Sequence, residues 1–159
     1  MLSHGSALRR GRISLQGHVY LVTCVTHQRM PHFASFPVGR VVVRNLMSSD
    51  VFGWSATLAF VVMPDHLHWL FQLGTRSSLS GVVGNLKKHT SRKINIITGS
   101  VGRAVWQRGF HDHALRDEAS VVDAARYIVA NPLRAGLVRR VGDYPLWDAM
   151  WLNEAYRGR

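Results

Sequence analysis

Two histidines one residue apart, His66 and His68, and a tyrosine at Tyr127 are the residues of this chain whose types and spacing are best suited to chemistry. The histidines lie in the run His66-Leu67-His68-Trp69-Leu70-Phe71-Gln72-Leu73. Side chains alternate across a strand, so Leu67, Trp69, Phe71 and Leu73 share one apolar face and His66, His68, Leu70 and Gln72 share the other. The two imidazoles then project together, roughly 7 Å apart by strand rise. That spacing lets both rings reach one metal ion. A pair of plain histidines on a half-exposed sheet face has the same pattern. His111-Asp112-His113 repeats the spacing, but in polar surroundings without an apolar shell, and it ranks second.

On a helical wheel with Tyr127 at zero, Val121, Val122, Ala125, Ile128 and Val129 fall on the far side as a compact apolar stripe. Ser120, Asp123, Tyr127 and Asn131 form the polar stripe, with Asn131 one turn beyond the tyrosine. The wheel therefore predicts an outward-facing Tyr127, which fits either a nucleophile or an ordinary surface residue. A nucleophilic phenol needs help, because its ordinary pKa is about 10. Tyr20 falls in a strand, Tyr144 in a loop and Tyr156 near the end of the sequence, so each is harder to aim at a metal held on the sheet.

These residues need elements to position them. Gly17 to Thr26 reads as a strand, Val38 to Asp50 as a helix, and Trp54 to Met63 as a strand. Pro64-Asp65 marks a turn into the strand His66 to Leu73. Leu79 to about Ile96 is the next helix, Ala104 to Arg116 holds one or two short extended pieces, and Asp117 to Asn131 is a third helix, stopped by Pro132. The first six elements predict an α+β fold, a ferredoxin-like βαββαβ antiparallel sheet, with the additional C-terminal helix carrying Tyr127. Residues 1–16 are expected to be a basic flexible arm, 17–145 one domain, and 146–159 a tail whose aromatics dock back onto it.

Charge narrows the partners. The 159 residues contain 20 Lys and Arg against 9 Asp and Glu, a net charge of +11. Up to His111 the only acids are Asp50 and Asp65, so the whole excess lies in that stretch. A field this one-sided attracts polyanions and points to nucleic acid. Candidate phosphate contacts are Arg9, Arg10 and Arg12 in the arm, and Lys87, Lys88 and Arg92 off the apolar stripe of the second helix. Arg108, within Trp106-Gln107-Arg108-Gly109-Phe110, suits base stacking beside phosphate contact. Cys24 is the only cysteine, which excludes an intrachain disulfide, and no run approaches the length of a membrane span. With no apolar leader at the N-terminus and a single cysteine, the expected setting is a reducing cytoplasm.

Taken together, Val62-Met63-Pro64-Asp65-His66-Leu67-His68, the block Val105-Trp106-Gln107-Arg108-Gly109-Phe110 with Asp112-His113 and Arg116-Asp117-Glu118, and the run Tyr127-Ile128-Val129-Ala130-Asn131-Pro132-Leu133-Arg134-Ala135-Gly136-Leu137-Val138 resemble the single-tyrosine HUH transposases, and most nearly the REP-associated tyrosine transposases. The resemblance runs from about Gly17 to Pro145. It implies that His66, His68 and Asn131 ligate a divalent metal, Mg²⁺ or Mn²⁺, and that Tyr127 is the nucleophile. It also implies a single-stranded DNA substrate carrying a REP-type imperfect hairpin, and a monomer. Gly17-His18-Val19-Tyr20 stands where the subgroup often has a Gly-Thr-Trp-Phe-like motif, making Gly17 and Tyr20 candidate DNA contacts while putting the usual guide sequence in doubt. His111 stands where an aromatic is common. Two other functions remain open at this level: a non-catalytic single-strand-binding module, and a metal-dependent phosphodiesterase without a covalent tyrosine.

Overall fold

Strands β1 (Val19–Val25), β2 (Ser55–Met63), β3 (His66–Leu73), β4 (His111–Leu115) and β5 (Trp147–Ala149) pair into one antiparallel sheet in the order β4-β1-β3-β2-β5. Helices α1 (Phe36–Val51) and α2 (Leu79–Thr98) pack on one face. Helix α3 (Glu118–Val129) packs on the other and leads into the short helix α4 (Asn131–Arg134). Without α3, α4 and β5, this is the expected ferredoxin-like βαββαβ arrangement. The computed structural model describes residues 15–150, so Arg9, Arg10 and Arg12, with Trp151 and Tyr156, lie outside the described residues.

The alternation in β3 sorts the two cores. Leu67, Trp69, Phe71 and Leu73 are 0–1% exposed and meet Val38, Val42 and Leu46 of α1 and Val82, Val83 and Leu86 of α2. Leu70 points the other way and is equally buried, under Ala125 and Ile128 of α3. The tyrosine helix is thus the lid of a second, smaller core, held to the sheet by the apolar stripe opposite Tyr127. The Tyr144 hydroxyl donates to the Val62 carbonyl, Leu146 is buried, and β5 extends the sheet beside β2.

The bounds of α1 and α2 differ from the sequence expectation, each for a physical reason. Helix α1 begins at Phe36 and takes Pro37 into its first turn, where a missing N–H costs nothing. Its run Val41-Val42-Val43 is wholly buried, so packing outweighs low helix propensity. Helix α2 continues to Thr98 and ends on Gly99, whose φ of +68° places it in the left-handed region that glycine tolerates. Between Ala104 and Arg116 one strand forms, β4, while Trp106 contributes an isolated bridge to Thr26.

Both acids of the basic stretch are already engaged. The Asp50 carboxylate, near the end of α1, accepts from the Ser55 hydroxyl at 2.6 Å and from the Thr57 hydroxyl at 2.9 Å. Thr57 Oγ1 in turn accepts from the Trp69 indole at 3.0 Å, tying α1 to β2 and β3. Asp65 serves the candidate site.

Candidate active site on the His66–His68 strand

The turn between β2 and β3 is clamped before either histidine is placed. The Asp65 carbonyl accepts from both the backbone N–H and the hydroxyl of Thr26, at 2.9 and 3.0 Å, and the Pro64 carbonyl accepts from Phe33 N–H at 3.0 Å. From this fixed turn His66 and His68 project on the face opposite α1 and α2, with ring centroids 4.8 Å apart.

Each ring is tethered through the same nitrogen. His66 Nδ1 lies 2.7 Å from Asp65 Oδ1, and an ionised carboxylate only accepts, so this nitrogen carries the proton. His68 Nδ1 lies 2.8 Å from Thr23 Oγ1, its cross-strand partner on β1. With Nδ1 engaged in both rings, Nε2 is the nitrogen left for a metal, the arrangement in which a tethering partner fixes ring and tautomer. Burial works to raise the Asp65 carboxyl, but its hydrogen bond and charge interaction with His66, aided by Arg29 at 3.2 Å, outweigh that and hold its pKa below the ordinary value.

Burial, then the charges of His66 and Arg134, push the His68 imidazole down to about 4. At neutral pH the ring is neutral, the form that ligates metal. In the unfolded chain the same ring titrates near 6.5. Between those values the unfolded state binds a proton that the folded state refuses, so folding stability rises with pH across the window. Thermal melts in chelator should therefore show the midpoint falling by several degrees from pH 7 to pH 4. The fall should be smaller in His68→Gln. Equal falls in the two proteins would contradict the assignment.

Tyr127 sits beside His68. Its ring centroid is 6.2 Å from that of His68, the two planes at 70°, and the side chain is 53% exposed, facing outward as the wheel predicts. Pro132 does not simply stop the helix. It cannot donate a hydrogen bond, so α3 closes at Val129, Ala130 stays in the right-handed region and α4 starts at Asn131 with Pro132 in its first turn. The helical path is thus nearly kept, and half-buried Asn131 remains one turn beyond Tyr127.

Arg134 was not singled out from the sequence. Its guanidinium carbon lies 4.0 Å from the centroid of the Tyr127 ring, and one of its nitrogens donates to the Tyr127 carbonyl at 2.7 Å. Asp65 and Thr23 were likewise given no role. Asp65 was readable as the residue beside His66, but Thr23 depends on a strand register that no local pattern carries.

The remaining expected residues are dispersed. His111 shares a cross-strand row with Thr23 and His68 but lies two strands over, roughly 10 Å away by strand spacing, with Thr23 between it and His68. Lys88 and Arg92 are exposed on α2, across the sheet from the histidines, and Arg108 is exposed in its loop. Lys87 departs from its expected role as a phosphate contact. Its ammonium donates to the carbonyls of Gln107 and Gly109, which pins the loop bearing Arg108. Tyr20 also departs, being 5% exposed with its hydroxyl accepting from Leu15 N–H, so its ring is not available for stacking. Gly17, at φ +80°, borders an open groove of about 1030 Å³ along β4 and the start of α3, at the far end of β1 from the histidines.

Residues 42–131, more than half of the chain, match the family described as Transposase IS200 like. A Haemophilus influenzae protein, provisionally assigned as a REP-associated tyrosine transposase, is 29% identical over 98 residues, covering 56% of each chain. The REP-associated tyrosine transposase of Escherichia coli strain K12 is 28% identical over 88 residues, covering 55% of this chain and 50% of the relative. The match thus spans about half the length of these curated relatives. A solved structure of a REP-associated tyrosine transposase bound to a REP hairpin aligns with a TM-score of 0.73 at 22% identity, over 92% of this chain and 84% of that one, a likeness of fold.

Proposed function

The chain belongs to the IS200-like transposase family, and from that premise we propose that it cleaves and rejoins single-stranded DNA at REP-type hairpins through a covalent 5′-phosphotyrosine on Tyr127. The observation that carries this reading is the placement of an exposed phenol beside His68, one of two adjacent imidazoles whose Nδ1 atoms are both tethered. The donor set suits a divalent cation, since one imidazole is neutral at working pH and each is oriented by an oxygen partner. His66, His68 and Asn131 would hold it, as Mg²⁺ or Mn²⁺. When bound, such an ion neutralises charge on the scissile phosphate.

The chain's own groups do the rest. Tyr127 Oη attacks phosphorus in line, its proton passing to solvent. The bond from phosphorus to the 3′-oxygen breaks, and that oxygen takes up a proton as the free 3′-OH. The phosphodiester energy is kept in the tyrosine–DNA bond, so a second 3′-OH restores the backbone by reversing the step without a nucleotide cofactor. Positioning and electrostatics are the enzyme's main contribution. Arg134 places a cation beside the phenol where negative charge develops.

The positive field of the first 111 residues draws in the strand. Lys88, Arg92 and Arg108 are exposed to meet phosphates, Arg9, Arg10 and Arg12 extend the basic set, and Gly17 borders the open groove along β4. Among the described residues no helix is long and apolar enough to cross a membrane, and the proposed setting is the bacterial cytoplasm.

Incubating the protein with a 3′-labelled hairpin strand and Mg²⁺ tests the reading. Label should move to protein mass on a denaturing gel, because the 5′-phosphotyrosine retains the downstream fragment. Cleavage with no attached label at any time would favour a hydrolase instead.

Because histidines and tyrosine meet within one chain, the working unit is proposed to be a monomer. Mixing His66→Ala with Tyr127→Phe should restore no cleavage. Recovery in the mixture would show that active sites are shared between chains.

A further inference from the structure

We infer that Arg134 is a positioning residue for Tyr127, holding the phenol in its attacking orientation from two sides of the same residue. The inference rests on Tyr127 being the nucleophile. The guanidinium reaches the tyrosine at both ends: a nitrogen donates to the Tyr127 carbonyl at 2.7 Å, and the carbon lies 4.0 Å over the ring. Main chain and side chain of one residue are thereby bridged by one rigid, planar group.

The local sequence explains why such a bridge is needed. Tyr127 is in the last turn of α3, where carbonyls lose their helical donors. An arginine seven residues on, carried back by α4, supplies the missing donor. A half-exposed tyrosine at a frayed helix end would otherwise sample several rotamers. With the guanidinium across its face, the ring is kept beside His68. Lysine cannot reproduce this, because an ammonium is a point charge without a plane to lie over the ring.

The test is single-turnover adduct formation by Arg134→Ala and Arg134→Lys, with DNA affinity measured separately. Arg134→Ala should form the Tyr127 adduct roughly 10- to 100-fold more slowly, the scale expected when a reacting group is misplaced by about an ångström. Strand affinity and thermal midpoint should stay close to wild type. Arg134→Lys should recover only part of the rate, and millimolar guanidinium added to Arg134→Ala should recover more than the same concentration of ammonium. A wild-type rate in Arg134→Ala, or a loss accounted for wholly by weaker DNA binding, would overturn the inference while leaving Tyr127 as nucleophile. A wild-type protein that forms no adduct at Tyr127 would overturn the reading beneath it.

Discussion

His66→Ala and His68→Ala should each lose divalent-ion-dependent cleavage, by more than ~100-fold, while His111→Ala stays within a few-fold of wild type. Removing a group that merely orients a metal ligand costs about 10- to 100-fold, so removing the ligand itself should cost more. The two rings are 4.8 Å apart and are each fixed by an oxygen partner, Asp65 for one and Thr23 for the other. His111 lies on the same sheet face but two strands from His68, with Thr23 between them. Neither alanine should unfold the protein, because both rings are partly exposed and the apolar face of β3 is untouched. Calorimetric titration with Mn²⁺ separates metal loss from misfolding: heat should vanish in the two variants while their melting transitions remain cooperative. If His111→Ala were the variant that lost metal dependence, the assignment of the site to β3 would be wrong.

Tyr127→Phe should retain fold, metal binding and strand affinity, with covalent attachment reduced to background. The substitution deletes one oxygen from a side chain that is 53% exposed, so stability should move by well under ~1 kcal/mol. The phenylalanine ring still lies under the Arg134 guanidinium, and the main-chain carbonyl still accepts from it. No other hydroxyl on that polar stripe is placed to substitute. Ser120 is two turns back, roughly 10 Å along the helix axis. Tyr20 is buried with its hydroxyl bonded to Leu15, and burial raises the Tyr144 phenol to about 12 while its hydroxyl is spent on the Val62 carbonyl. An adduct that persisted in Tyr127→Phe would move the nucleophile to another residue.

The sheet and both histidines were legible in the sequence because β3 is a strict alternation of period two, and a slip of one residue would turn every side chain over. Tyr127 was legible for the same kind of reason, an apolar stripe on the opposite side of its helix. What stayed hidden depends on long-range register or on several groups at once. Thr23 reaches His68 only because β1 and β3 pair in one register, 45 residues apart in sequence. Lys87 reads as a phosphate contact off the apolar stripe of its helix, and only the fold brings the carbonyls of Gln107 and Gly109 to it. Tyr20 stands in the sequence as a candidate DNA contact by its place in the motif, yet its position on β1 turns it into the core shared with α1 and α2. Arg134 lies beyond a proline that ordinarily ends a helix, so wheel reasoning stops before reaching it. Here α4 restarts the turn and carries Arg134 back over the phenol.

The most direct test of the account is to map the covalent adduct on the wild-type protein. A labelled hairpin strand is incubated with the protein and Mg²⁺, the attached species is isolated under denaturing conditions, and proteolysis with mass spectrometry locates the modified residue. The account predicts a single nucleotide-bearing peptide, with the phosphodiester on Tyr127 Oη and a free 3′-OH on the released fragment. DNA attached to any other side chain, or a strand cut with a 5′-phosphate and no attached protein, would contradict it.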